Sequence, residues 1–499
     1  MRTVIDAQSS FGQIDISAIV LDPRSRDDIP QILRGLQHVY TDASLRERVF
    51  AILAELLPKR MGAEEKASSH TGRPGMEQWN ILVLGVLRLG LNVDYDRIQE
   101  LANQHATIRQ MLGHSDWKDK SVYGLQTLKD NLRLFTPEIL DRINCEVVKA
   151  GHKTLKKSLV DALQARSDSF VVETNIHYPT DISLLFDAIR KALESCAKLT
   201  RQAGLSEWRQ SAYHIRQFKK SYRRVQKIKH ASAQDEKKRE AQQQALTQAY
   251  QYYLEQAEVY LVRVRSTREQ LIKSSNAPEA RILSLLSPLD GYVTHAQRQI
   301  DQVRRRVLDG QVIPPGEKVF SIFQPHTEWI SKGKAGVPVE LGLRVCIVED
   351  QNRFILHHQV MEKITDDQVA GPITQQTKQK FPQLASMSFD KGFHSQKNQS
   401  ELKEQVTLVV LPKKGRLSQE DKARETEPKF LGLRQQHSAV ESAINALEVH
   451  GLDKCPDHGI QGFKRYVALA VVARNIQRLG ALLRDEVRTR HRTVFQKAA

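Results

Sequence analysis

The chain has 499 residues, with 75 Lys or Arg against 58 Asp or Glu and a formal net charge of +17. This length allows two to four domains with a sizeable core, and the basic excess points to a polyanionic partner, nucleic acid or an anionic membrane. No apolar run reads as the ~20 residues that span a bilayer, the opening MRTVIDAQSSFG lacks an apolar signal core, and four scattered cysteines (Cys145, Cys196, Cys346, Cys455) make no disulfide framework. The expectation is a cytoplasmic protein on nucleic acid, without a membrane partner.

Ile29, Ile32, Leu33, Leu36 and Val39 recur at helical spacing within residues 27–57. The stretch 58–76, rich in Gly, Pro, Ser and charge, reads as a loop. WNILVLGVLRLGLN predicts a buried helix over about 77–90, followed by helices in VDYDRIQELANQ and HATIRQMLGH. Short helices joined by tight turns, with Arg97 and Arg109 taken as exposed, suggest a helix-turn-helix unit that reads DNA; a plain helical bundle is the alternative. The divisions drawn here are a helical region over 1–60 and a DNA-binding domain over 61–150.

A strand is predicted over 162–176, after which residues 183 to about 310 read as almost wholly helical. Trp208, Ile215, Phe218, Tyr222 and Val225 share one face, and Arg216, Lys219, Lys220, Arg223, Arg224 and Lys227 lie between them with almost no acid nearby. A solvated helix face is the bland reading of such a run; phosphate binding is the sharper one. Tyr250, Leu254, Ala257, Leu261 and Val264 step as a coiled-coil seam does. Residues 183–314 are therefore expected to form a basic helical insert.

Strand patterns resume after the PPG turn at 314–316. Residues 337–350 and 353–362 predict a hairpin across Asp350, Gln351 and Asn352. A helix, a strand over 384–390, a helix in SQKNQSELKEQ and a strand over 406–414 follow. SAVESAINALEVHG predicts a helix with Val440, Ile444 and Leu447 as its apolar stripe, and a last apolar helix covers 466–483. The fold class expected is α+β, a mixed sheet flanked by helices, built from 151–182 and 315–485, with a basic tail over 486–499.

Three acids stand out: Asp168 on the first strand, Asp390 at the end of a later one, and Glu441 on a late helix. Each adjoins an apolar element where an unpaired charge is costly. Shared carboxylates on rigid elements are what a two-metal phosphoryl-transfer site needs, and oxygen-only ligands suit Mg²⁺ or Mn²⁺. Glu173 lies five positions from Asp168, which sends it to the opposite strand face and leaves it at most a supporting role; Asp181 is a further acid nearby. His437, one helical turn before Glu441, is placed to contact a phosphate or to orient that glutamate, unless it is a plain surface histidine. Cys455 and His458 lack two more zinc ligands at suitable spacing, and SKGKAG lacks the P-loop spacing, so no nucleotide cofactor is expected.

At these residues the chain resembles the DDE transposases of bacterial insertion sequences. DSFVVETNIHYPTD resembles their first-aspartate block, FDKGFHS the second, HSAVESAINALEVHGL the glutamate block, and GRPGMEQWNILVLGVLRLGLNVDYDRIQELANQH their N-terminal helical domain. The resemblance implies an RNase H-like catalytic domain, a DDE triad at Asp168, Asp390 and Glu441 holding two Mg²⁺ ions, and binding of terminal inverted repeats and target DNA as a homodimer or higher oligomer in a bacterial cytoplasm. Related glutamate helices carry Tyr, Arg and Lys at spacings that here give Arg434, His437 and Glu448, so only part of that basic phosphate contact is present. The alternatives are a domesticated or inactive DNA-binding derivative and an RNase H-like structure-specific nuclease.

Overall fold

A computed structural model of the protein describes residues 2–5, 12–57, 75–115, 119–156, 161–232, 235–274, 278–331 and 338–498. They form two compact units, Met1–Asn175 with Ile330–Ala499, and Ile176–Trp329. The protein is α+β and mostly helical, with a mixed sheet packed against helices and a helical N-terminal region.

The sheet contains β1 (Leu163–Thr174), β2 (Glu328–Ser331), β3 (Val339–Asp350), β4 (Ile355–Met361), β5 (Leu384–Phe389), β6 (Leu408–Val410) and β7 (Lys454–Cys455). The order is β2-β3-β1-β5-β6, with β4 on β3 and β7 on β1. β1 runs antiparallel to β3 and parallel to β5, and β5 runs parallel to β6. Parallel neighbours need crossovers, and the helices Asp366–Lys380 and Gln396–Gln405 stand before β5 and β6. Continuous burial of β3 from Val345 to Asp350 marks it as an interior strand. The β3–β4 hairpin turns where expected because buried Asp350 accepts from the Asn352 and Phe354 amides at 2.7 and 2.9 Å and from His152 Nε2 at 2.6 Å. β6 is shorter than the run 406–414 suggested, since only Leu408–Val410 reach β5.

Asp27 caps the helix Asp28–Thr41, and Asp42 caps Ala43–Leu53, each accepting an amide of its first turn. Every residue of Gln78–Gly90 is buried. The last helix begins earlier than expected, at Gly459, and its backbone continues through residue 498, where a separate tail had been drawn. Its span Gly459–Thr489 is long and apolar enough to cross a membrane by length and composition, where the sequence reading found no such run. Here Phe463, Val467, Val471, Ile476 and Leu479 are core residues. A Cβ on Gly480 would lie 1.9 Å from the Gln31 carbonyl oxygen, so glycine permits this helix to meet Asp28–Thr41 at close range. Asn475 is wholly buried and ties three elements together: its Nδ2 donates to Asn144 Oδ1 (2.7 Å) and the Ile355 carbonyl (2.8 Å), and its Oδ1 accepts from the Ile355 amide (3.0 Å).

The second unit consists of the helices Asp181–Gln202, Ser211–His230, Glu236–Lys273 and Glu279–Val303. The expected seam Tyr250, Leu254, Ala257, Leu261 and Val264 is buried, and Phe218 stacks on Tyr253 with ring centroids 4.8 Å apart. Trp208 is not on the helix with Phe218. It occupies a turn before Ser211 at φ 64°, where its indole donates to Thr267 Oγ1 at 2.8 Å.

Candidate active site

The parallel register of β1 and β5 sets the site. Ser167 lies opposite Phe389, the last residue of β5, so the next positions, Asp168 on β1 and Asp390 just past the end of β5, are neighbours across the parallel pair. β5 ends at Phe389 and Asp390 caps the single turn Lys391–Phe393, its Oδ1 accepting from the Gly392 amide at 2.6 Å. A Cβ on residue 392 would come within 2.8 Å of that oxygen, so glycine keeps the cap close. Asp168 Oδ1 accepts from the Ser169 amide at 2.7 Å.

Glu441 reaches the same place from the first turn of the helix Ala439–Leu447, which packs on β1 and buries Val440, Ala443 and Leu447. That apolar stripe leaves Glu441 on the exposed side. Two bonds staple the preceding helix, Pro428–His437, to the strands: His437 Nδ1 meets Ser388 Oγ at 3.0 Å, and Arg166 Nη1 donates to the Gln436 carbonyl at 3.2 Å. Both anchors sit two residues before a strand aspartate.

The acids feel one another. Burial pushes the Asp168 carboxyl up to about 6 against the Ser169 hydrogen bond, and the charges of Asp390, Asp366 and Glu441 push in the same direction. Arg166 is paired with Glu349 at 2.6 Å. Asp366 was not among the sequence candidates. It opens the helix Asp366–Lys380, accepts from Ser169 Oγ at 2.6 Å and stands 3.8 Å from Arg344 Nη1. In the sequence it looks like an ordinary acid at a helix start; only the fold brings it to Asp168.

His437 is no plain surface residue. Burial lowers its pKa, as does Arg166, while Asp390 and Glu441 oppose the shift; its Nε2 is buried without a hydrogen-bond partner. The imidazole is therefore neutral near pH 7 and holds a polar atom in reserve. Glu173 is not brought to the cluster: it lies further along β1, between Gly342 and Lys454. Arg434 faces Glu425 at 3.7 Å, and Asp181 pairs with Arg306 at 2.6 Å in the other unit.

Asp168, Asp390 and Glu441 offer only carboxylate oxygens, the ligand type that suits a hard divalent cation such as Mg²⁺, and the first two each already accept one backbone amide. Among the described residues, however, no group of three or more His, Cys, Asp or Glu is arranged so that it could hold a metal ion. The side chains are neighbours, not a preformed shell.

Arg109, taken from the sequence as exposed, is mostly covered. Its side chain is only 15% exposed and closes a loop, donating to the Ser121 and Asp119 carbonyls at 3.1 and 3.3 Å. Arg97 is exposed but paired with Glu100 at 2.6 Å. The helix Ser211–His230 carries seven Lys or Arg and no Asp or Glu. Arg216, Lys219, Lys220, Arg223, Arg224 and Lys227 are all exposed. Cys455 is a buried free thiol pushed up to about 12 by burial, the opposite of a zinc ligand's tendency.

No protein-family model, no curated protein and no solved structure matches the chain.

Proposed function

We propose that the protein is a DDE transposase: it binds terminal inverted repeats and catalyses Mg²⁺-dependent DNA strand cleavage and strand transfer. The observation that carries this reading is the placement of Asp168 on β1 next to Asp390 at the end of the parallel β5, with Glu441 on a helix that packs on β1. An aspartate on the first strand, a second at the end of the adjoining parallel strand and a glutamate on a later helix suit an RNase H-like catalytic domain. Mg²⁺, or Mn²⁺ in its place, when bound as a pair by Asp168, Asp390 and Glu441, supplies Lewis acidity to the attacking and leaving oxygens of an in-line displacement.

The chain's own residues do the rest. Asp168 and Asp390 provide carboxylates on a rigid base, and Glu441 closes the site from the helix. Asp366 adds negative potential and holds Ser169 beside Asp168. His437, through its bond to Ser388 Oγ, holds the helix Pro428–His437 against β5 beside the carboxylates. The cationic face of Ser211–His230 holds duplex backbone without reading sequence, and the N-terminal helices are assigned the choice of inverted repeat. The protein works in this reading as a homodimer or higher oligomer on DNA in the bacterial cytoplasm.

A second reading, a transposase-derived DNA-binding protein that no longer cleaves, draws on the lack of a group arranged to hold a metal ion among the described residues. Incubating the protein with duplexes from the DNA flanking its reading frame separates the two. Nicks with free 3′ hydroxyls at the end of a repeat, formed with Mg²⁺ and not with EDTA, support the transposase. Binding without nicks supports the second reading.

A further inference from the structure

A cavity of about 1020 Å³ opens in the first unit, away from the carboxylate cluster. Asn175, on its wall, lies seven residues beyond Asp168 along the β1 direction, roughly 20 Å at strand rise. Five cations line it: Arg88, Lys129, Arg133, Lys454 and Arg465. Three acids oppose them, Asp94, Asp453 and Asp457, leaving two positive charges in excess.

The acids are already engaged. Asp94 caps the helix Tyr95–Gln104 through the Arg97 amide, and Asp453 accepts from the Lys454 amide at 2.8 Å. Asp457 is shared between two arginines, at 2.9 Å from Arg465 and 3.5 Å from Arg88. Arg88 is the unusual group. It is 5% exposed, its guanidinium lies 4.1 Å from the Tyr95 ring centroid, and its Nε is buried with no hydrogen-bond partner. A buried guanidinium held by one long, shared ion pair is under-compensated. Lys129 stands on the other side, 5.6 Å from the same ring, and no ion pair of Lys129, Arg133 or Lys454 occurs among the described residues.

We propose that this cavity binds a phosphate group, with Arg88 as its buried anchor and Lys129 and Arg133 closing over it. A phosphate matches the charge excess of two, and its oxygens suit the fork of an arginine that retains a free donor. The group belongs either to a DNA strand or to a free phosphorylated molecule. The inference stands on the cavity alone and does not depend on the reading of Asp168, Asp390 and Glu441.

The test uses the full chain and inorganic phosphate. Sodium phosphate should raise the melting temperature by roughly 2 °C or more above sodium chloride of equal ionic strength. The increment should vanish in Lys129→Gln/Arg133→Gln and shrink in Lys454→Gln, a change at the exposed rim that leaves the core untouched. A salt series on duplex DNA then identifies the source. If the double variant flattens the log–log slope by about 1.8, the phosphate is a backbone phosphate; if the slope is unchanged while the thermal increment is lost, the ligand is a free phosphorylated molecule. No phosphate-specific increment in the wild type, or an increment the double variant retains, overturns the proposal.

Discussion

Ser388 Oγ and His437 Nδ1 stand 3.0 Å apart, joining the strand that precedes Asp390 to the helix that leads to Glu441. With the Arg166–Gln436 contact, that bond anchors the helix Pro428–His437, which leads directly into the glutamate helix. Ser388→Ala should therefore slow cleavage more than it weakens the fold. We expect a loss of about 1 kcal/mol in a urea melt and a fall of about tenfold in single-turnover nicking, because small misplacements of a catalytic group are costly. Unchanged nicking would show that the staple does not position Glu441.

Asp168 carries a stability penalty that can be measured. Its folded-state pKa of about 6 lies above the model-peptide value of 3.8, so the folded chain holds the extra proton between those values. Stability should fall as pH rises from about 4 to 6 in metal-free protein. Asp168→Asn should raise stability at pH 7 by about 1–3 kcal/mol, and Mg²⁺ should stabilise the wild type but not the variant. Urea melts at pH 4.5 and 7 with EDTA check the sign; a destabilised variant at pH 7 would mean that the carboxylate is well compensated.

The basic helix predicts a salt effect. Changing Lys220, Arg223 and Arg224 to Gln removes three exposed cations from a face without acids. Duplex binding should weaken for all sequences alike, with the log–log salt slope flattened by about two to three units. A wild-type slope in the triple variant would make this helix a packing or dimerisation element.

Asn475 joins the last helix, the helix Pro137–Thr154 and β4 at a point with no exposure. Asn475→Ala strands the Ile355 amide and Asn144 Oδ1, while the Ile355 carbonyl keeps its bond from Asn144 Nδ2 at 3.0 Å, and should cost about 2–4 kcal/mol without altering salt-dependent DNA affinity. Denaturant titration and a binding isotherm on the same variant test both halves.

The elements that carry the site were readable because each has a period or run of its own. Alternation in LASMSFD put Asp390 at a strand end, and the stripe Val440, Ile444, Leu447 put Glu441 beside a buried helix face. The apolar runs of β1 and β3 announced buried strands. What stayed hidden depends on contacts between distant segments. Asp366 looks like any first-turn acid until the helix after β4 is laid beside Ser169. Arg109 looks exposed until the 119–121 loop folds over it. The two-residue strand β7 has no periodicity at all and exists only through its pairing with Glu173 and Thr174.

The most direct test of the central claim is Asp390→Asn, assayed for nicking and for binding on the same duplex. Asn keeps the side-chain shape and removes the charge that a divalent cation needs. The account predicts loss of Mg²⁺-dependent strand cleavage with gel-shift affinity within about twofold of the wild type, since the substitution leaves the exposed cations of the helix Ser211–His230 in place. Nicking at the wild-type rate would contradict it and remove Asp390 from the chemistry.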